Sequence, residues 1–240
     1  IVFVSFHDPR VLAVGADGVL TVVAGDGTAG DAGDGGPALA AQFLELVGIA
    51  VAPDDSIFVA DDLAHRVRVI RPSGLVEAYA GTGVAGYAGD GGPAVSALLR
   101  LPAGLALDGA GNLYVAEAGN HVLRRILLDG TIETLAGTGV RGGDGDGGPA
   151  TAARFAAPEG VAVDAGGTVY VADTNNHRVR RIDPDGTVAA VAGTGTAGLA
   201  GDGGPAVQAL LNGPARLDVF DRRLLFADQR NNCARVVYLP

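Results

Sequence analysis

The residues best suited to chemistry in this sequence are aspartates inside a repeated, glycine-rich hexapeptide. The hexapeptide GDGGPA occurs four times, each copy beginning 56 residues after the one before: Gly33–Ala38, Gly89–Ala94, Gly145–Ala150 and Gly201–Ala206. Aspartate-and-glycine repeats can bind calcium through carboxylate and backbone oxygens. The third copy lies in the stretch GDGDGG and supplies two carboxylates, so Asp144 and Asp146 are the candidate calcium ligands.

Two other interpretations of the hexapeptide compete with calcium binding. A glycine-rich turn ahead of a helix can bind phosphate, but the aspartate within this turn would repel an anion. In the structural interpretation, Gly-Gly permits unusual backbone angles, the proline takes the first position of a short helix, and the aspartate caps that helix. We favour the structural interpretation, because two of the copies supply a single aspartate each while calcium needs about six oxygens.

Histidine and arginine also recur at fixed positions of the repeat. A ring of histidines suggests a metal site, but histidines in successive units lie too far apart to share one ion, so we expect turn packing. Recurring arginines suggest RNA binding, but stacking partners are scarce, since the chain has no Trp, seven Phe and five Tyr. We therefore expect these arginines to form salt bridges with nearby acids. The two sets are His65, His121 and His177, and Arg68, Arg124 and Arg180.

Four short β-rich runs make up each repeat. In the clearest copy, turn residues separate the runs Gly160–Asp164, Thr168–Ala172, Arg178–Ile182 and Thr187–Ala192. The runs are apolar at consecutive positions rather than alternating, which indicates that both faces of each small sheet are buried. Four-stranded antiparallel units repeated around an axis describe a β-propeller, and a linear solenoid is the competing architecture.

The stretch GVAVDAGGTVYVADTNNHRVRRIDPDGTV closely resembles the NHL repeat, with its small-hydrophobic strand, its YVAD strand and its NHRVR strand. The resemblance covers essentially the whole chain. It implies a β-propeller, commonly one of six blades. The repeats here are longer than typical ones, because each carries an extra segment of the form AGTGxxGxxGDGGPAxxA, which resembles a long-repeat form found in bacterial members of the family.

We predict that residues 1–240 form a single all-β propeller domain of about five blades, with short helical turns in the connections between blades. Two blades are incomplete, at residues 1–24 and 215–240. The first of these supplies the second, third and fourth strands of a blade, and the last supplies the first, second and third. Because both ends repeat the second and third strands, either a five-bladed ring closes imperfectly or the chain is an arc of a six-bladed propeller.

Composition narrows the classes of function and partner. The formal net charge of −10 argues against general attraction to nucleic acid or to an anionic membrane. The single cysteine, Cys233, excludes an internal disulfide framework and a cysteine-based metal cluster. No apolar run approaches the roughly 20 residues of a membrane span. The chain opens IVFVSF and contains no Met, so we expect it to be part of a longer bacterial protein, with an extracellular or periplasmic location favoured.

Residues that differ between repeats are the better candidates for a unique ligand site, because residues shared by every blade serve the common architecture. Arg and Tyr, which are favoured at interfaces, occur among them on the inserted segments. The same residues are equally compatible with ordinary exposed positions. The predicted ligand-binding residues of this rim are Glu45, Tyr87, Arg100, Arg141, Arg154 and Glu159.

No nucleophile elbow, HExxH zinc motif or Walker-type phosphate loop is present in the sequence. We therefore expect a non-enzymatic module that binds a protein or a glycan on the rim carrying the inserted segments, with no catalytic residue and no cofactor beyond the calcium candidate. One alternative, drawn from the resemblance, is a lyase- or lactonase-type propeller enzyme with a metal in its central channel. The predicted first strands VGIAV, AGLAL and EGVAV offer little for such a metal, since Glu159 is their only ionisable residue. A structural spacer without a ligand is the other alternative.

Overall fold

The computed structural model describes residues 1–5 and 7–239, which form five small antiparallel sheets. The three middle sheets have four strands each, and the first and last have three. The helices of the described residues are single 3₁₀ turns of three residues, and none is long and apolar enough to cross a membrane. The all-β class, the five blades with two incomplete ones and the helical turns between blades are therefore confirmed.

The strands of each blade follow one another in sequence and in space. Blade 1 contains β1 (Val2–Ser5), β2 (Asp8–Val14) and β3 (Leu20–Ala24). Blade 2 contains β4 (Leu46–Val51), β5 (Ile57–Asp61), β6 (Arg66–Ile70) and β7 (Val76–Ala80). Blade 3 contains β8 (Pro102–Leu107), β9 (Leu113–Glu117), β10 (Val122–Ile126) and β11 (Ile132–Ala136). Blade 4 contains β12 (Pro158–Val163), β13 (Val169–Asp173), β14 (Arg178–Ile182) and β15 (Val188–Ala192). Blade 5 contains β16 (Pro214–Phe220), β17 (Arg223–Asp228) and β18 (Cys233–Tyr238).

The middle blades are buried on both faces, as their consecutive apolar residues predict. Every residue of β5, β9 and β13 is buried, so the hydrophobic core lies between successive sheets. Blade 5 differs, because its strands alternate between more exposed and less exposed positions. One face of blade 5 packs on blade 4, and its other face is exposed at Phe220, Val236 and Tyr238.

The innermost strands of neighbouring blades pack side by side around a common axis. β4 contacts β8, β8 contacts β12, and β12 contacts β16. Val4 of blade 1 and Arg216 of blade 5 line one cavity, so the sheets form a curved array and the linear solenoid is excluded. In the described part of the chain no hydrogen-bonded ladder joins blade 1 to blade 5, so strand exchange between the ends does not close the ring.

Glycines allow the innermost strands to approach one another closely. A Cβ atom at Gly48 would lie 1.9 Å from the carbonyl oxygen of Ala103, and one at Gly104 would lie 2.9 Å from the carbonyl oxygen of Glu159. Such distances are below van der Waals contact, so each glycine is required by the backbone of the next blade. Blade 5 carries Arg216 at the equivalent position, and it is the last blade of the chain.

The connector that leads into each middle blade folds back along that blade's outermost strand. In the first copy of the hexapeptide, the amide of Gly35 donates to the carbonyl oxygen of Val76 at 2.8 Å, and the amide of Val76 donates to Gly36 at 3.0 Å. Gly33 has a φ of 103°, and a Cβ atom there would lie 2.7 Å from the Cα of Ala41. The hexapeptide therefore works as an outer edge for the sheet.

A 3₁₀ turn follows each copy of the hexapeptide. These turns are Ala38–Ala40, Ala94–Ser96, Ala150–Ala152 and Ala206–Gln208, and two more, Thr174–Asn176 and Gln229–Asn231, lie between second and third strands. The proline stands before the turn with extended backbone angles, as at Pro37 (φ −61°, ψ 131°), rather than at its first position. No side chain caps any of the four connector turns, so the prediction that the aspartate caps a helix is wrong.

The aspartate of each hexapeptide instead binds an arginine of the third strand of the blade that follows. The closest nitrogen–oxygen distances are 2.8 Å for Arg68–Asp34, 2.7 Å for Arg124–Asp90, 2.9 Å for Arg180–Asp146 and 2.7 Å for Arg235–Asp202. The side chains of the first three arginines have no exposed area. The predicted salt bridges of Arg68, Arg124 and Arg180 are therefore confirmed, with the motif aspartates as their partners.

Arg180 shows how one buried guanidinium fastens a whole connector to its sheet. Its Nη1 donates to the carbonyl oxygen of Arg154 at 2.7 Å, and its Nη2 donates to that of Asp144 at 3.1 Å. The guanidinium lies over the ring of Phe155 at 4.8 Å, and its Nη1 is 3.5 Å from the buried carboxylate of Asp173. Together with the carboxylate of Asp146, five groups of the connector and sheet contact this one guanidinium.

Buried carboxylates and histidines hold the start of each innermost strand. Asp173 accepts a hydrogen bond from the amide of Ala156 at 2.7 Å, and burial raises its pKa to about 6. Burial likewise raises the pKa of Glu117, at the equivalent position of blade 3, to about 7. The Nδ1 atom of His177 accepts a hydrogen bond from the amide of Gly213 in blade 5 at 3.1 Å. His65 and His121 make the same contact with the next blade, so the prediction of turn packing is confirmed.

We expect Arg180→Met to lower the free energy of unfolding by about 3–5 kcal/mol, because it leaves the buried Asp173 carboxylate without its counter-charge. The matched control is Arg181→Met on the same strand. The Arg181 side chain is 40% exposed and pairs with Asp183, so its loss should cost less than about 1 kcal/mol. Urea denaturation of both variants tests this, and equal losses would contradict the anchoring role of Arg180.

We also expect Gly48→Ala to destabilise the fold by roughly 1–3 kcal/mol or more, because the added methyl group overlaps the carbonyl of Ala103. Gly109→Ala is the control, since a Cβ atom there would meet nothing within 4 Å. Thermal unfolding should show a clear loss for the first variant and almost none for the second. Two unchanged melting temperatures would mean that the innermost strands are not in contact.

Candidate functional site

A cavity of about 800 Å³ lies on the axis, on the face that carries the connectors and the turns between second and third strands. Its wall is formed by the beginnings of the innermost strands and by the residues that follow the second strands. Most of this wall is apolar, with Leu46, Val47, Leu101 and Ala103 among its residues. The polar side chains in the wall are Asp62, Glu159, Arg216, Gln229 and Arg230.

A neighbouring cavity of about 380 Å³ shares Glu159 and Arg216 with this one. It is lined by the close-packed glycines of the innermost strands, Gly48, Gly104 and Gly160. The two cavities therefore adjoin along the axis, with Glu159 and Arg216 between them. We call the two together the axial cavity.

The charged groups of the axial cavity stand where the blades differ from one another. The residue that follows the second strand is Asp62 in blade 2, whereas blades 3, 4 and 5 have Ala118, Thr174 and Gln229 there. The residue before the axial glycine is Glu159 in blade 4, in place of Val47, Ala103 and Ala215. The shared repeat thus builds the wall, and single substitutions in separate blades place charges on it.

Arg216 enters the axial cavity because it replaces the glycine of the other blades. Its backbone has a φ of 45°, within the left-handed region, at the bulge where β16 departs from regular pairing with β17. Its Nη1 donates to the carbonyl oxygen of Glu159 at 2.9 Å. The walls of the cavity desolvate the guanidinium and lower its pKa, while the charges of Glu159 and Asp62 act in the opposite direction.

Asp62 places a carboxyl group in the wall of the axial cavity. Its amide donates to the carbonyl oxygen of Glu45 at 3.0 Å, which fixes the backbone. Its Oδ1 atom is buried and has no hydrogen-bond partner among the described residues. Burial and the nearby charge of Glu45 raise the pKa of Asp62 to about 6, and the positive charge of Arg216 acts in the opposite direction. Blade 2 and blade 5 therefore face each other across the axis.

This arrangement can hold a polar ligand. A carboxylate acceptor, a guanidinium donor and apolar walls together can orient a polar ligand of moderate size. Within residues 1–5 and 7–239, no three His, Cys, Asp or Glu side chains are grouped closely enough to hold a metal ion. Asp62 and Glu159 are acceptors on the cavity wall, and neither they nor Glu45 belong to such a group among the described residues.

The structure separates the predicted rim residues into two groups. Glu45 and Glu159 lie at the axis, the first through its contact with Asp62 and the second in the cavity wall. The other four residues lie on the two connectors that flank blade 3, outside the walls of the axial cavity. These four are Tyr87, Arg100, Arg141 and Arg154.

Three of those four have structural partners of their own. Tyr87 packs on the guanidinium of Arg124 at 5.5 Å and hydrogen-bonds Thr134 at 2.8 Å. The stem of Arg100 lies against Gly119, where a Cβ atom would be 2.5 Å from it. The Nε of Arg154 is 3.8 Å from the carboxylate of Asp144. The charges of Arg141 and Arg100, together with burial, lower the pKa of His121, so these two arginines face the same turn.

The two carboxylates of the calcium candidate face arginines. Asp146 is 2.9 Å from Arg180 and 3.7 Å from Arg178, and Asp144 lies near Arg154. A cation at Asp146 would have to compete with two guanidinium groups for the same oxygens. The calcium site stays a prediction, and the local charges oppose it.

The sequence also contained a signal for the residues that were missed. The candidate ligand residues were sought mainly by comparison of the repeats on the inserted segments. The polar residues of the cavity wall that were not predicted lie outside those segments: Asp62, Arg216, Gln229 and Arg230. Extending that comparison to the innermost strands would have shown an arginine at a position that is otherwise glycine. The contact between blades 2 and 5 needed the curvature of the array, which the sequence does not specify.

Comparison with known proteins agrees with this architecture. Residues 155–182 match the family model of the NHL repeat. Over 157 residues, 60% of its length, the chain is 32% identical to NHL repeat-containing protein 2 of Gallus gallus, of which it covers 21%. The chain thus spans about a fifth of the length of this relative. That the GDGGPA connector marks a long-repeat bacterial form stays a prediction.

Solved structures show the same fold at low sequence identity. The chain is similar to an auxiliary nutrient binding protein from Bacteroides thetaiotaomicron, with a TM-score of 0.69 and 16% identity over 97% of this chain and 54% of that one. It is also similar to virginiamycin B lyase from Staphylococcus aureus, with a TM-score of 0.55 and 12% identity over 100% of this chain and 69% of that one. Identities this low show the fold alone. Residues 155–182 thus contain an NHL repeat, and the described chain has the fold of a β-propeller.

Proposed function

We propose that this propeller is a non-enzymatic binding module whose ligand occupies the axial cavity. The observation that carries the proposal is the Asp62 carboxyl group, which lines a cavity of about 800 Å³ and whose Oδ1 atom is buried with no hydrogen-bond partner in the described chain. An unsatisfied acceptor costs about 1–3 kcal/mol, and a ligand that donates a hydrogen bond to this carboxyl group offsets that cost. The site therefore favours a ligand with donors over water alone.

The ligand we propose is a glycan or a similar hydroxyl-rich molecule. Hydroxyl groups both donate and accept, so one molecule can satisfy the Asp62 carboxylate and the Arg216 guanidinium together. The opposite charges of these two groups oppose a ligand with a large net charge of either sign. The aliphatic wall around Val47 and Ala103 suits the apolar face of a sugar ring.

The similarity to an auxiliary nutrient binding protein supports a binding role by analogy, since propellers of this fold are found among such proteins. A protein ligand and a structural spacer are the other outcomes of the tests below. A propeller lyase is the enzymatic alternative, and elemental analysis of the purified protein distinguishes it. One equivalent of zinc or calcium that survives dialysis would overturn the non-enzymatic proposal.

We expect Asp62→Asn to weaken binding of the best ligand from an oligosaccharide panel at least tenfold, because a charged hydrogen bond is worth about 1.5–3 kcal/mol. Isothermal titration calorimetry measures this. The control is Asp183→Asn, which makes the same chemical change in a separate cavity of about 490 Å³ on the opposite face. Loss of binding in the control alone would place the ligand on that face instead. A panel without any binder would contradict the glycan proposal.

Binding should also depend on pH through Asp62. With a pKa of about 6, this carboxyl group is mostly protonated at pH 5 and mostly ionised at pH 7. Because the ionised form is the better acceptor, we expect the affinity to rise between pH 5 and pH 7 and to stay flat in Asp62→Asn.

Whereas the affinity should rise with pH, the free energy of unfolding should fall as the pH rises from about 4 to about 6. The pKa of Asp62 in the folded chain, about 6, lies above its ordinary value of 3.8, so ionisation destabilises the fold as the pH rises from about 4 to about 6. We expect this component of the pH dependence to be absent in Asp62→Asn. An unchanged pH profile of binding in that variant would exclude Asp62 from the site.

A further inference from the structure

A second cavity, of about 490 Å³, lies between blades 4 and 5 on the face opposite to the axial cavity. It is bounded by the turns that join the first two strands of these blades, and Arg181 and Arg222 are among its residues. It shares no lining residue with the axial cavity. Its volume is that of a site for a small organic molecule. We call it the interblade cavity.

The turn that blade 5 contributes to this cavity departs from the repeat. Corresponding cross-strand pairs enclose five residues in blades 2, 3 and 4 (52–56, 108–112 and 164–168) but four in blade 5 (220–223). Phe220 replaces the aspartate that binds its own turn in blades 3 and 4. Asp221 and Arg222 have φ angles of 47° and 58°, in the left-handed region that favours glycine. Two adjacent residues of other types strain the backbone there, and such strain is concentrated at binding sites.

Arg222 brings a guanidinium group without a partner to the interblade cavity. Its carbonyl oxygen accepts a hydrogen bond from the amide of Leu239 at 2.8 Å, which fixes the backbone. Its side chain makes no hydrogen bond or ion pair with the described part of the chain. The neighbouring Asp221 pairs with Arg223 instead, at 2.6 Å. The charge of Arg222 is therefore free to meet a ligand.

Arg181, on the blade 4 side, has lost the acid that its counterpart in blade 3 binds. Arg125 stands opposite Glu133, and its Nε donates to that carboxylate at 2.8 Å. Arg181 stands opposite Ala189. Its Nε is 3.1 Å from an oxygen of Asp183, but the geometry is not that of a hydrogen bond, and this Nε is buried without a hydrogen-bond partner in residues 1–5 and 7–239. A guanidinium with five N–H donors thus has one nearby carboxylate and no aligned acceptor.

Three carboxylates also line the interblade cavity, and each has a partner of its own. Asp164 accepts hydrogen bonds from two amides of its own turn, at 2.9 Å each, and from the hydroxyl of Tyr170 at 3.1 Å. Asp183 lies beside Arg181, and Asp221 is held by its ion pair. Their negative charges oppose a ligand that carries two or more negative charges. The anion that fits between the two arginines is therefore a single carboxylate group.

Apolar side chains complete the wall of the interblade cavity. Tyr170, Val219, Phe220 and Leu239 line it, and Phe220 is 47% exposed. Aromatic side chains contribute large contact areas when a ligand covers them. The wall therefore suits a ligand whose carboxylate is attached to an aromatic or aliphatic body.

We propose that the interblade cavity binds a small organic acid with one carboxylate and an apolar body. The carboxylate lies between Arg181 of blade 4 and Arg222 of blade 5, and the body packs on Val219 and Phe220. Hydrogen bonds from a guanidinium to a carboxylate are charge-assisted and directional, so this pair selects an acid over its neutral amide. The site is independent of the axial cavity, and both can be occupied in one chain.

The test titrates the intact chain with benzoate, phenylacetate and naphthoate, each compared with its neutral primary amide. Two-dimensional NMR spectra follow the backbone amides and the arginine Nε–H groups. We expect saturable binding of at least one acid with a dissociation constant below about 1 mM, and the largest shifts at residues 219–222 and at the Nε–H of Arg181. Amides that bind as tightly as the acids would overturn the proposal, as would the absence of saturable binding by every acid.

Matched variants locate the site. Arg181→Gln should weaken binding of the tightest acid at least tenfold, because its charge-assisted hydrogen bonds are lost. Arg125→Gln makes the same change at the same strand position of blade 3 and should leave the affinity unchanged. Equal losses in the two variants would overturn the proposal, because the acid would then bind at any arginine of this type. Asp62→Asn should also have no effect, and a loss in that variant would place the acid in the axial cavity instead.

Arg222→Gly separates a binding role of this arginine from a structural one. Glycine relieves the strain of a φ of 58°, so we expect a higher melting temperature together with at least threefold weaker binding of the acid. A lower melting temperature would mean that Arg222 is retained for the fold and would contradict the proposal. Binding as tight as in the wild type would contradict it as well.

Discussion

The close approach of neighbouring innermost strands is the constraint on which the rest of this structure depends. Gly48, Gly104 and Gly160 have no space for a side chain, because the backbone of the next blade lies against them. This contact fixes the spacing of the blades and leaves little free volume between them. In blade 5, Arg216 stands at the position that the middle blades fill with glycine. The axial cavity is charged because of this one change, together with Asp62 and Glu159.

The connectors stabilise the outer side of each blade, whereas the innermost strands form the wall of the axial cavity. Each buried arginine of a third strand binds the aspartate of a GDGGPA connector and several of its carbonyl groups, which closes the outer side of the blade. The repeated acids and glycines therefore maintain the scaffold, and the unrepeated residues near the axis differ from blade to blade. A repeat protein can vary its binding site in this way without altering the contacts that hold the repeats together.

The sequence predicted the repeated features well because each of them occurs in several copies of the repeat. The strands, their burial on both faces, the turn-packing histidines and the salt bridges of Arg68, Arg124 and Arg180 all follow from the period and the residue types. The partner of each motif aspartate was missed because Asp34 and Arg68 are 34 residues apart and meet only when the connector folds back. The cavity was missed for the same reason, since Asp62 and Arg216 come from blades 2 and 5. Glu45 and Glu159 were predicted because they differ between repeats, and their role in ligand binding stays a prediction.

The most direct test of this account is the pKa of Asp62, measured by carbon-detected NMR titration in the wild-type chain and in Arg216→Gln. The account predicts a value of about 6 in the wild type, because burial and Glu45 raise it and Arg216 opposes them. Removal of the Arg216 charge should raise the pKa further. An unperturbed pKa in the wild type, or no change on removal of Arg216, would contradict the claim that blades 2 and 5 face one another across a common axial cavity.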